Sequence, residues 1–572
     1  MKALKRQIKA NWEILLLLLL PVLLLLINQS WIFNPNGSLD PWFYFGYFLR
    51  LKQYLITFSD AYYGTRLSWI LPGYLAYSLF PPLVANYVLH LSFYYLATLS
   101  LYFILRPSVG RRAAFLTSAS MGCYAFFLLA IGWDYVDGAG IAYFLLTVLM
   151  LSWAARKENQ TTWMVLSGVF FGALIYTNLV WLAFAPSLTT YYALTGRPRW
   201  RRKTFISIAA FIVGVLAITL LLGSVNYFVG GKFFFFIPSV NFALGSTGKP
   251  NPASLDWQQW LPGATWLILP STVLLATIAT LALSSFRKSF GQADIIHLQA
   301  TFVVTCLVMI LLEVKGISVL QTVYYASYLI PSMFLAIGAS LKSLATLSKG
   351  SFAVIATFAL ILIIFPFIAT FWSSGQPIIL GLLFVAAILF SIASNLNQEK
   401  IARVLAILLF TVSASISFDQ GLNVKQLQAN ALTSKTFRDN QLTVSTEQKL
   451  FRDLDPTVSM FFWYSSKELE VYRSIASASL WGYRLIGEEF PSLQEYRNPS
   501  SSTPPLSPQR LSELKTRFTT SSKIAIFSRQ EDVLQQAINS LKTVGFTAKS
   551  IATYPIKQDT IAFTITILKS QN

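Results

Sequence analysis

Apolar runs of about twenty residues, the length that crosses the hydrocarbon of a bilayer as a helix, alternate along this chain with short polar, aromatic or basic breaks. The pattern predicts thirteen membrane spans, near residues 14–33, 83–105, 113–132, 138–155, 162–177, 179–195, 204–229, 264–285, 298–313, 320–340, 351–372, 377–395 and 401–418. Lys2, Lys5, Arg6 and Lys9 precede the first run, and no small-x-small cleavage site follows it. It therefore reads as an uncleaved span and not a signal peptide.

From Phe418 onward the pattern changes. Lys523-Ile-Ala-Ile-Phe and the alternating stretch Thr560 to Leu568 predict strands. Gln530 to Val544 predicts a helix, with Val533, Leu534, Ala537, Ile538 and Leu541 on one face and Gly545 as its stop. Residues 499–508, rich in Pro and Ser, read as a linker. The expected architecture is an all-α polytopic membrane domain over 1–418, followed by a soluble α/β or α+β domain over 419–572 on the outer side.

Composition agrees with a membrane protein: 55% hydrophobic, 12% charged, mean hydropathy +0.56. The formal charge of +20 is mostly topology. With the amino terminus inside, twenty basic residues fall on the inner side, including the cluster Arg197, Arg199, Arg201, Arg202 and Lys203, against six outside: Arg50, Lys52, Arg66, Lys232, Lys249 and Lys315. No basic stripe with base-stacking aromatics appears, so no nucleic-acid partner is expected; the inner basic face suits anionic lipid. Cys123 and Cys306 fall inside spans and predict packed thiols, not a disulfide framework. Two histidines, His90 and His297, exclude a histidine-rich metal cage.

The segment between the first two spans, residues 34–82, is dense in aromatics and carries Asp40, Asp60 and Arg66. It predicts short interfacial helices around a carboxylate, with Trp42, Phe43, Phe45 and Phe48 on one face. Of the ten carboxylates before residue 419, six (Asp40, Asp60, Asp134, Asp137, Asp256 and Glu313) fall at or near outer span ends. Each also has a structural use. Asp40 before Pro41 is a good helix start, Asp60, Asp137 and Asp256 suit caps, and Glu313 can pair with Lys315. Asp134 and Asp137 share a face if their turn is helical.

Three segments carry a family resemblance. Tyr62-Tyr-Gly-Thr-Arg-Leu-Ser-Trp-Ile-Leu-Pro-Gly73, after an early outer-loop carboxylate, resembles the integral-membrane GT-C glycosyltransferases, including family 39 and the aminoarabinose and protein mannosyltransferases. Leu166-Ser-Gly-Val-Phe-Phe-Gly-Ala-Leu-Ile-Tyr-Thr-Asn178 is similar to their glycine-rich fifth span, with Asn178 where many members have Lys. Tyr324-Tyr-Ala-Ser-Tyr-Leu-Ile-Pro331 is similar to a late segment of theirs, with Ser327 replacing a basic residue.

The resemblance implies an inverting transfer of sugar from a polyprenyl-phosphate-linked donor to a lipid, glycan or protein acceptor at the outer face of a bacterial inner membrane. It implies Asp40 as base, with Arg66 and Lys315 holding the lipid phosphate. Asp134 and Asp137 would orient hydroxyls or hold a divalent metal ion. Trp42, Tyr44, Tyr62 and Tyr63 would pack on the sugar and first isoprene units, and Tyr325 joins the substrate-binding set. Two other classes remain: a transporter or lipid flippase, and a non-catalytic scaffold for envelope assembly. Charges at outer span ends, instead of the midplane, and the lack of repeated halves weigh against transport.

Overall fold

A computed structural model describes residues 2–27, 29–32, 39–57, 61–132, 135–156, 158–195, 202–246, 267–282, 295–318 and 325–342, and, farther along, 460–464, 484–485, 523–528, 542, 546–557 and 560–569. The helices are α1 (Lys2–Ile27), α2 (Leu39–Thr57), α3 (Leu67–Leu79), α4 (Pro82–Val109), α5 (Arg111–Cys123), α6 (Ala125–Gly132), α7 (Val136–Arg156), α8 (Gln160–Ile175), α9 (Ala185–Thr195), α10 (Arg202–Val229), α11 (Ile237–Ser246), α12 (Ile268–Ala282), α13 (Ile296–Val314) and α14 (Ala326–Leu341). Among the described residues four helices are long and apolar enough to cross a membrane, or five if the bent pair α5 and α6 is one span. The chain is thus an integral membrane protein of helical build. The predicted spans at 351–372, 377–395 and 401–418 lie outside the described residues, as do the boundary at 418, the linker at 499–508 and, Lys542 apart, the helix at 530–544.

Burial orders the helices. The apolar window of α7 is 83% buried and that of α10 only 22%, so α7 is the central post and α10 a peripheral helix. α7 packs against α4, α8 and α14, and α8 carries α10 on its other side. That last contact depends on glycine. A Cβ at Gly168 would strike the Phe211 carbonyl oxygen, and one at Gly214 the Val165 carbonyl oxygen, so the two backbones approach as only small residues permit. The outward side of α10 shows Phe205, Ile208, Ile212, Val213, Leu216 and Leu220, a stripe suited to acyl chains. Arg111 Nη2 meets the buried Glu13 carboxylate at 2.5 Å and ties α5 to α1.

Two predicted spans are broken. The one at 113–132 divides at Tyr124, whose extended backbone bends α5 from α6 by 62°. The one at 179–195 begins as a 3-10 turn, Leu179–Phe184, because extended Asn178 caps it by accepting from Val180 N–H; Pro186 then sits in the first turn of α9. The aromatic segment is helical, as expected, but α2 is longer than an interfacial turn. Tyr44, Tyr47, Phe48, Leu51, Tyr54 and Leu55 recur at helical spacing and are all buried, so α2 has an inward stripe that holds it against α3. Both cysteines are free, Cys306 buried and Cys123 partly so.

The carboxyl-terminal strands form a five-stranded sheet from β1 (Met460–Tyr464), β2 (Arg484–Leu485), β3 (Lys523–Ser528), β4 (Phe546–Lys557) and β5 (Thr560–Lys569), ordered β2-β1-β3-β5-β4. β1 runs parallel to β2 and β3, while β5 is antiparallel to β3 and β4. Strands β3 and β5 are the two that the alternation predicts.

Candidate functional site

The 3-10 turn Tyr62–Thr65 delivers Arg66 to the start of α3, where its side chain is buried at 7% exposure. A guanidinium in such a place needs compensation for lost water. Four tyrosines supply part of it. The guanidinium carbon lies 5.0 Å from the ring centre of Tyr62, 5.3 Å from Tyr135, 5.7 Å from Tyr44 and 5.8 Å from Tyr63, and Nη1 donates to the Tyr44 hydroxyl. Aromatic faces attract a cation through the ring quadrupole. Tyr62 in turn stacks on Tyr63 at 4.1 Å and on Phe242 at 4.7 Å.

Beyond Tyr62 opens a cleft of about 560 Å³ lined by Ala61, Tyr62, Lys232, Phe234, Pro238 and Phe242, together with Phe233, Ile237 and Asn241. Its walls are aromatic and aliphatic, and Lys232 is the charged residue among those that line it. It is built by the turn before α3 on one side and by the α10–α11 connection and α11 on the other. Thr65 Oγ1 joins the two sides through a hydrogen bond with Ser239, 174 positions away.

On the other flank, Tyr135 leads to Asp137 in the first turn of α7, buried at 3% exposure. Ser327 Oγ donates to Asp137 Oδ1 at 3.4 Å, and Ser318 Oγ donates to Glu313 Oε2 at 3.0 Å. Both carboxylates act electrostatically on the Tyr325 hydroxyl, which itself donates to the Ile317 carbonyl at 3.3 Å. Lys232, Tyr62, Arg66, Tyr135, Asp137, Ser327 and Tyr325 thus form one run of neighbours.

Of the residues singled out by sequence, Arg66, Tyr44, Tyr62 and Tyr63 come together, and Asp137 and Tyr325 share the adjoining flank. Asp40 is the second residue of α2, within its first turn instead of at the cap position before it, where the helix dipole still favours an acid. The side chains of Asp40 and Trp42, and all of Asp134, Asp60 and Asp256, lie outside what is described. Lys315 is exposed at the C-cap of α13. His90 is buried beside Trp69, with ring centres 6.0 Å apart. Among the described residues no group of three or more His, Cys, Asp or Glu converges as a metal site.

Sequence reasoning missed Tyr135 and Lys232. Tyr135 stands inside Trp133-Asp-Tyr-Val-Asp137, where the carboxylates drew attention. Lys232 counted only toward topology, although Gly230-Gly231-Lys232 followed by four phenylalanines marks a turn presenting a cation beside an aromatic wall.

No protein-family model matches the chain, and no curated protein matches its sequence. Among solved structures, ArnT from Cupriavidus metallidurans bound to undecaprenyl phosphate is similar at 14% identity and a TM-score of 0.41, over 88% of this chain and 84% of that one. The same protein in its apo state gives 13% identity and a TM-score of 0.43, over 87% of each chain. The oligosaccharyltransferase AglB from Archaeoglobus fulgidus, in complex with an inhibitory peptide and a dolichol-phosphate, gives 11% identity and a TM-score of 0.41, over 96% of this chain and 75% of that one.

Proposed function

We propose that the chain is an inverting glycosyltransferase that moves a sugar from a polyprenyl-phosphate carrier to a lipid, glycan or protein acceptor at the outer face of a bacterial inner membrane. The observation that carries this reading is the apolar cleft bordered by Lys232 and joined through Tyr62 to the caged Arg66. An amphiphile with an anionic head and a prenyl tail fits both halves: aromatic walls take the chain, and two cations stand near the phosphate. The exposed apolar residues Tyr227, Phe228 and Phe234 beside the cleft give the tail a path from the bilayer. The solved ArnT and AglB structures carry ligands of that class.

The acceptor O–H or N–H attacks the anomeric carbon from the face opposite the phosphate, its proton passes to the Asp40 carboxylate, and the C–O bond to phosphate breaks with its electrons leaving on the phosphate. A base at the nucleophile and cations at the leaving group act where charge changes in the transition state. Arg66 offers a planar fork to phosphate oxygens, and Lys232 and Lys315 add point charges. Tyr62, Tyr63 and Trp42 pack on sugar and isoprene. Asp137 and Tyr325, on the flank away from the cleft, orient hydroxyls, and Asp134 is assigned the same role from the sequence. No step is assigned to a metal ion.

The test uses the full chain in lipid nanodiscs with a panel of undecaprenyl-phosphate-linked pentoses and hexoses, and reads release of undecaprenyl phosphate and the anomeric configuration of the product. Saturable release with inversion is expected for at least one donor. Failure to bind undecaprenyl phosphate, together with no release from any donor, would overturn the proposal.

A further inference from the structure

The wall of the cleft that bears Lys232 is a tight reversal of the chain with a built interior. α10 ends at Val229, and Gly230 follows at φ +107°, a conformation that glycine adopts readily and side chains resist. Gly231 N–H donates to the Asn226 carbonyl at 2.8 Å. Across the same turn Asn226 Nδ2 donates to the Lys232 carbonyl at 2.7 Å. A Cβ at Gly231 would stand 2.5 Å from that nitrogen, so the second glycine is the space through which the amide passes.

Asn226 is 3% exposed, and its Oδ1 has no hydrogen-bond partner among the described residues. It borders a small pocket of about 20 Å³ shared with Gly64, Thr65 and Lys232. A buried amide with an unanswered oxygen is costly, and a leucine of similar size would avoid that cost. What the amide alone provides is the grip on Lys232. Thr65, which lines the same pocket, is the residue before Arg66, so the turn holding one cation abuts the turn holding the other.

We propose that Asn226 is a positioning residue that, through the Lys232 carbonyl, sets where the Lys232 ammonium meets the anionic head of the donor relative to Arg66. The inference rests on the reading of the cleft as the donor site. A lysine side chain is long and rotamer-rich, and an unanchored backbone adds freedom that binding must remove. Asn226 touches no substrate itself; it acts through Lys232.

A double-mutant cycle with full-length protein in nanodiscs tests this, with undecaprenyl phosphate as the probe and thermal unfolding as the check on folding. Lys232→Gln should raise Kd by about tenfold or more, the scale of a lost charged hydrogen bond, and Asn226→Leu by about fivefold, the scale of a neutral one. Asn226→Leu combined with Lys232→Gln should bind no worse than Lys232→Gln alone, because the amide has nothing left to position. Gly231→Ala, which pushes a methyl into the amide, should repeat the result if Asn226→Leu folds poorly. An Asn226→Leu loss of equal size in both backgrounds, or no loss beside a weakened Lys232→Gln, overturns the positioning role and leaves the donor site standing. Parental affinity in Lys232→Gln would overturn the donor assignment of the cleft, and the inference with it.

Discussion

Replacing Arg66 by methionine is the sharpest perturbation of the aromatic cage. Methionine keeps an unbranched side chain of similar reach and can hold favourable sulfur contacts with Tyr44, Tyr62, Tyr63 and Tyr135, which recovers part of the lost cation–π attraction. Stability should therefore change by no more than about 1–2 kcal/mol, inside the usual range for a single substitution. Affinity for the lipid phosphate should change more. Net hydrogen bonds to charged groups are worth roughly 1.5–3 kcal/mol, and at about 1.4 kcal/mol per decade that is a Kd increase of about 10- to 150-fold. Exposure of only 7% leaves little water to screen the charge, so the upper half of that range is expected. Arg66→Lys should fall between, retaining the charge and losing the fork. Titration of nanodisc-held protein with undecaprenyl phosphate, with undecaprenol as the uncharged control, measures this. A well-folded Arg66→Met protein with parental affinity for the phosphate would refute the assignment of Arg66 to the leaving group.

Asp40→Asn should leave insertion and thermal stability near parental, because Asn and Asp serve helix starts about equally, while transfer falls by about 10²–10⁴-fold for a lost base; parental turnover with a purified donor would move the base to Asp134 or Asp137. Gly168→Leu should lower the thermal midpoint, since even its Cβ meets the Phe211 carbonyl backbone of α10 and overpacking of this kind costs roughly 1–3 kcal/mol; an unchanged midpoint in a thermal-shift assay would show that α8 and α10 can separate freely. A cytoplasm-only reporter fused after Asn572 should be silent, because the thirteen spans expected from the sequence, with an inside start, would end outside; strong reporter activity would break the span count.

Hydropathy along the chain was enough to establish a helical membrane protein, most of the described helices and the strands β3 and β5, and charge supplied an expected side of the membrane for each loop. These features are local: a run of apolar residues long enough to span, or basic residues beside it, acts through its own segment and the bilayer. The Tyr62-Tyr63-Arg66 cluster was legible for the same reason, since three side chains within five positions share one turn. The apolar pattern was harder to read where Tyr124 and Asn178 interrupt the helix, because a single extended residue costs little in hydropathy and leaves no gap in that pattern. Tertiary structure alone decided that Tyr135 closes the cage, that Ser327 reaches Asp137 from a helix far along the chain, and that Lys232 faces Tyr62 across a cleft. Those pairings depend on which faces of α7, α10 and α14 are buried against which neighbours, and glycine-mediated approach of α8 to α10 fixes part of that choice. Side-chain packing between distant helices is a property of the assembled bundle, so no window of the sequence holds it.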